Sequence, residues 1–102
     1  MEKNEALTTL EKMNIILRDS VDVTINGVPF VFHLDHAAYD AFLNDVNTKN
    51  KVTPMKDYLL TIVEPEQRKA LLDIINLPDL ALNLVEKVND VLIPKFEIIV
   101  KK

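Results

Sequence analysis

The stretch Val21-Asp22-Val23-Thr24-Ile25-Asn26-Gly27-Val28-Pro29-Phe30-Val31-Phe32-His33-Leu34 decides how the chain folds. Apolar and other residues alternate on both sides of Asn26-Gly27, the dipeptide suited to a two-residue type I′ turn, which needs positive φ at both central positions. Such a loop sets Ile25 opposite Val28, Val23 opposite Phe30 and Val21 opposite Phe32. All six are apolar and share one face. Asp22, Thr24, Pro29, Val31 and His33 fall on the other. Gly27 is the one glycine in the chain, and it stands where the turn requires it.

Proline punctuates the chain beyond the hairpin. Asp35 is placed to cap a helix in which Tyr39, Phe42, Leu43 and Val46 share a face. Thr53-Pro54, Pro65 and Pro78 each predict the start of a further helix, because proline in the first turn forfeits no hydrogen bond whereas in a helix interior it costs ~3 kcal/mol. The corresponding core faces are Met55, Tyr58, Leu59 and Ile62; then Leu71, Ile74 and Ile75; then Ala81, Leu84, Val85, Val88 and Leu92. Pro94 closes the last helix. Lys95–Lys101 alternates as a strand, with Phe96, Ile98 and Val100 facing one way. Ahead of the hairpin, Ala6, Leu10, Met13 and Leu17, flanked by Leu7 and Ile16, predict an amphipathic helix from Lys3 to Arg18. The expected fold class is α+β. The hairpin and the C-terminal strand form a three-stranded sheet covered by four short helices, and an additional N-terminal helix occupies residues 1–19 beside a single domain of residues 20–102.

The chain's 102 residues suit one core, and 48% hydrophobic against 27% charged residues is not the composition of a disordered segment. A formal charge of −4 argues against nucleic acid as a partner. The Lys49, Lys51, Lys56 cluster reads as a solvated edge, with a polyanion site as the alternative. The absence of cysteine removes disulfides and thiolate metal sites. With no signal-type or membrane-spanning run, a soluble cytoplasmic protein is expected.

Residues that carry chemistry are sparse. His33, Asp35 and His36 crowd together, but a helix cap, a first-turn residue and an outer-face side chain account for them better than a metal site, and no further ligand is evident. Ser20 is the sole serine, without a glycine elbow to expose it. Carboxylates such as Glu64 and Glu66 sit at a helix start, where the dipole favours them. With one glycine, no phosphate-cradling loop can form. No catalytic, metal or cofactor residues are therefore assigned. What remains is apolar surface: Leu7, Leu10, Met13 and Leu17 on the N-terminal helix, and Val31 and Ile99 on the outer sheet face. Either the helix covers that sheet face, or one of the two meets another chain.

The hairpin VTINGVPFVF, the run TPMKDYLLTIVEPEQRKALLDII, the run LPDLALNLVEKV and the closing PKFEIIVKK together resemble the small phage tail assembly chaperones of tailed bacteriophages and prophages, over residues 21–102. The most specific parts are Thr53-Pro54 with Tyr58-Leu59, the Val63–Gln67 joint, and Pro94–Lys101. The resemblance implies a non-enzymatic protein of the bacterial host cytoplasm. It would bind the long, helix-rich tape measure protein, keep it soluble before the tail tube polymerises, and in several cases self-associate. The alternative implied function is a self-associating building block of the phage particle.

Overall fold

The computed structural model describes residues 8–101. Among them the order is helix α1 (Thr9–Lys12), strands β1 (Ser20–Ile25) and β2 (Val28–His33), then helices α2 (His36–Asp45), α3 (Val52–Ile62), α4 (Arg68–Ile74) and α5 (Leu80–Leu92), with a 3-10 turn at Pro65–Gln67. The hairpin register is the expected one: Ile25 pairs with Val28, Val23 with Phe30 and Val21 with Phe32. Asn26 (φ 48) and Gly27 (φ 88) both take the left-handed conformation that the turn demands.

The apolar face of the hairpin lies on the helices. Phe30 and Phe32 are buried with Leu59, Ile62, Val63, Leu71, Ile75, Val88 and Leu92. Helix α3 is central, packing against α2, α4, α5 and β2, while α5 also supports β1. Five buried residues of α5 (Ala81, Leu84, Val85, Val88 and Leu92) recur at three- and four-residue spacing, one stripe of a 3.6-residue helix. Tyr39, Phe42 and Tyr58 form an aromatic cluster between α2 and α3, with Phe42 and Tyr58 stacked at 5.1 Å between centroids. The Tyr58 hydroxyl donates to Asn89 Oδ1 at 2.7 Å, so the polar end of this ring has a partner on α5.

The two edges of the hairpin differ. Along β2, Pro29 has no N–H to offer, the Val31 N–H donates to Gln67 Oε1 at 2.7 Å, and the Val31 carbonyl accepts from the Glu64 N–H at 2.7 Å. Phe32 and Val63 form an antiparallel bridge beside these bonds. The Val63–Gln67 joint thus closes this edge with its own backbone and one side chain. Along β1, the outward-facing main chain of Ser20, Asp22 and Thr24 has no partner among the described residues.

Several expectations need correction. The sheet has two strands among the described residues, not three, because Lys95–Lys101 runs without secondary structure and pairs with neither edge. Strand-like alternation states only which side chains share a face: β2's edge is taken by the joint, and the segment after Pro94 makes no main-chain bond to the edge of β1. The fold remains α+β. Among the described residues the N-terminal helix is one turn, Thr9–Lys12, where four are expected. Asn14 at φ 58 ends it, and α1 buries no side chain, so packing does not extend it. Its expected first part, including Ala6 and Leu7, lies outside the described residues. Helix starts also shift. α3 begins at Val52, ahead of Thr53, which makes no capping bond, and α5 begins at Leu80 after Asp79 in the left-handed conformation (φ 66). Pro65 opens a 3-10 turn that leads into α4.

Candidate interaction surface

Two segments flank the domain and meet at one end. The first begins with a capping box. The Thr8 N–H donates to Glu11 Oε1 at 2.8 Å, and the Glu11 N–H donates to Thr8 Oγ1 at 3.2 Å. The bond from the Thr8 N–H, and a second from the Thr8 hydroxyl to the same Oε1 at 3.0 Å, hold the Glu11 carboxyl below its ordinary range. The turn so formed presents Leu10, Met13 and Leu17 about half to solvent, and Ile16 is 80% exposed. The second segment begins after Pro94. Lys95 Nζ is 2.6 Å from Asp90 Oδ1, which fixes its root on α5 and keeps the Asp90 carboxyl below its ordinary range. Beyond it Phe96, Ile98, Ile99 and Val100 are exposed, Ile98 at 82%. No main-chain hydrogen bond joins Phe96–Lys101 to other described residues.

The two segments share grooves. Met13 and Ile15 line one together with Lys95, Phe96, Glu97 and Ile98, a space of about 350 Å³. Leu17 and Phe96 line another with Leu34, Tyr39, Leu92 and Pro94, where the segments reach the edge of the core. The result is a strip of aliphatic and aromatic side chains with lysine and glutamate at its margins, suited to the apolar face of another polypeptide.

Of the residues singled out by sequence, the structure brings Leu10, Met13 and Leu17 to the N-terminal segment and Ile99 to the C-terminal one. Leu7 lies outside the described residues. Val31 stands apart, half-buried on β2 and held on both main-chain groups by the joint. The N-terminal turn does not lie over the outer sheet face, where Asp22, Thr24 and Pro29 are exposed. Sequence reasoning does not find Ile16, Phe96, Ile98 and Val100 as surface. The last three alternate as the buried face of a strand would, and no local signal in the sequence tells that they stay out of the sheet.

The polar residues make structural bonds. Asp35 caps α2 by accepting from the Ala38 N–H at 2.9 Å. His33 Nε2 is 2.7 Å from Glu64 Oε1, a third hydrogen bond between hairpin and joint. Ser20 faces His33 across the hairpin, which sets a serine, an imidazole and a carboxylate near one another. No hydrogen bond joins the Ser20 hydroxyl to the imidazole among the described residues, so the contact that activates a nucleophile is missing from this geometry. No three His, Asp or Glu side chains converge as a metal site among the described residues.

A family model described as phage tail assembly chaperone matches residues 21–102. A protein of Haemophilus phage HP1 (strain HP1c1), named as an uncharacterized 11.3 kDa protein in the lys 3′ region, is 54% identical over 101 residues, covering 99% of both chains. No solved structure matches. With the match spanning the hairpin from Val21, the joint and the four helices α2 to α5, the chain belongs to the phage tail assembly chaperone family.

Proposed function

We propose that this protein is a non-catalytic chaperone that binds the tape measure protein in the host cytoplasm and keeps it soluble until the tail tube forms. Residues 20–102 are the folded domain, and residues 1–19 are an interaction element acting with the C-terminal segment. The observation that carries this reading is the exposed strip formed by Leu10, Met13, Ile16, Phe96, Ile98, Ile99 and Val100. A helix-rich client with an apolar face would bury these side chains, and the same strip would support self-association when no client is present. From its sequence spacing alone, Leu7 is assigned to the same interaction element, and Val31 to a secondary contact on the hairpin.

Co-expression with the long, helix-rich reading frame of the same phage, followed by affinity capture, tests the assignment. Wild type should retain that chain in soluble form. Ile98→Asp with Ile99→Asp should release it, since burying an isoleucine is worth ~1.5–3 kcal/mol and the two together correspond to a loss of about a hundredfold or more. Stoichiometric presence in purified particles, with no capture of the long chain, would overturn the proposal in favour of a structural building block.

A further inference from the structure

A second surface lies away from the terminal strip, at the end of the helical layer where α3 and α5 both begin. Val52 on α3, Leu77 just before α5 and Leu82 on α5 come from two separate stretches of chain, and each is more than half exposed. They border one groove of about 260 Å³, with Met55 and Ala81 also in its wall. A groove of this size has room for aliphatic side chains from one face of a peptide.

The charge of this groove runs against that of the molecule. Lys51 and Lys56 line it, with Asp79 as the one carboxylate in the lining, while the chain as a whole carries −4. Neither lysine has a carboxylate within ion-pair distance among the described residues. Lys56 is instead held by Asn76 Oδ1 at 2.7 Å, which fixes its ammonium between α3 and the turn before α5. The same end holds the positive ends of two helix dipoles. Neither α3 nor α5 has a side-chain capping bond, and the main-chain N–H groups of Thr53 and Ala81 find no acceptor among the described residues. Apolar walls rimmed by these two cations call for a leucine-type side chain with a carboxylate beside it.

The geometry points to this groove as a docking site for an acidic amphipathic helix of a partner protein, seated by an aliphatic side chain between Val52, Leu77 and Leu82 and by carboxylates at Lys51 and Lys56. It deepens the proposed function by naming the chemistry of a client segment, and it relies on that reading only for the partner being a polypeptide.

Fluorescence anisotropy with a labelled helical peptide of glutamate and leucine, against its lysine-for-glutamate counterpart, tests it on the full chain. The acidic peptide should bind at least ~10-fold more tightly, consistent with about 1.4 kcal/mol of charge discrimination. Leu82→Asp should abolish binding. Lys51→Glu with Lys56→Glu should reverse the preference between the peptides, and circular dichroism checks the fold of each variant, because Lys56 is half-buried and bonded to Asn76. Equal affinity for the two peptides, no binding of either, or binding indifferent to these variants would overturn the assignment. Capture of the long phage chain by the Lys51→Glu/Lys56→Glu variant at wild-type level would remove the groove while leaving the chaperone function standing. Loss of capture only in the Ile98→Asp/Ile99→Asp variant would do the same.

Discussion

Replacing Gln67 by alanine probes how the joint secures the hairpin. The side chain does one thing in the structure: Oε1 accepts the Val31 N–H at 2.7 Å in a half-buried setting. Alanine leaves that donor facing the space the amide occupied. An orphaned buried donor costs ~1–3 kcal/mol, and since Val31 keeps some solvent access the lower part of that range applies, about 1–2 kcal/mol. For a domain whose total stability is ~5–15 kcal/mol this is a large fraction. At roughly 4–8 °C per kcal/mol for a chain near this size, the melting temperature should fall by about 4–16 °C. Gln67→Glu keeps an oxygen acceptor in place and should recover most of the loss. Circular dichroism in urea gives the free energies, and amide exchange at Val31 reports the bond itself. Protection of the Val31 amide should drop in Gln67→Ala and persist in Gln67→Glu. Equal stability of wild type and Gln67→Ala, with the Val31 amide still protected, would refute the argument that this side chain closes the β2 edge.

Three further outcomes are expected. Tyr58 is buried, and burial first, then the charges of Tyr39 and Asp35, push its phenol up to about 12. The unfolded chain therefore loses this proton first, near pH 10, and the contribution of Tyr58 to stability should be intact below pH 10 and decline from there to about 12. Urea midpoints of wild type and Tyr58→Phe across that window check it, because the variant lacks the decline. Gly27→Ala should cost ~1–2 kcal/mol by the same denaturation assay. No atom lies within 4 Å of the added Cβ, so the penalty is that of φ +88 alone. Leu10→Asp should change stability by no more than ~0.5 kcal/mol, since α1 buries nothing, yet weaken client capture; an unfolded variant would make Leu10 a core residue.

The hairpin can be read from residues alone because three local constraints agree: the turn dipeptide, the alternation, and the pairing of apolar positions that the turn imposes. The four later helices are legible in number and in core face, since proline and 3.6-residue spacing act locally. Their first residues are less so. Proline is compatible with any position in the first turn, and Pro54 is the third residue of α3 rather than the first. The closing segment misleads because alternation in Phe96, Ile98 and Val100 states which side chains would share a face, not whether an edge is there to receive them. The N-terminal periodicity misleads for a related reason: an amphipathic stripe forms a long helix when something covers it, and the described part of this one is uncovered. The candidate surface is therefore half visible in sequence. Leu10, Met13 and Leu17 emerge from spacing, whereas Ile16 and the Phe96–Val100 run require the knowledge that the tail stays unpaired. The lysine-rimmed groove joins positions some thirty residues apart in sequence, Val52 and Leu82, which no local pattern connects.

The side of β1 left unpaired among the described residues has a consequence for handling the protein at high concentration. A solvent-facing strand invites an identical strand to lie alongside it, and long stacks of such pairs grow into insoluble fibres. Here the middle of that strand carries Asp22, exposed on the outer face, with Asp19 just before its start. When two copies approach antiparallel about Asp22, carboxylate meets carboxylate, and like charges directly opposite repel. Neutralising Asp22 should therefore ease edge-to-edge pairing and turn a clear, concentrated solution cloudy.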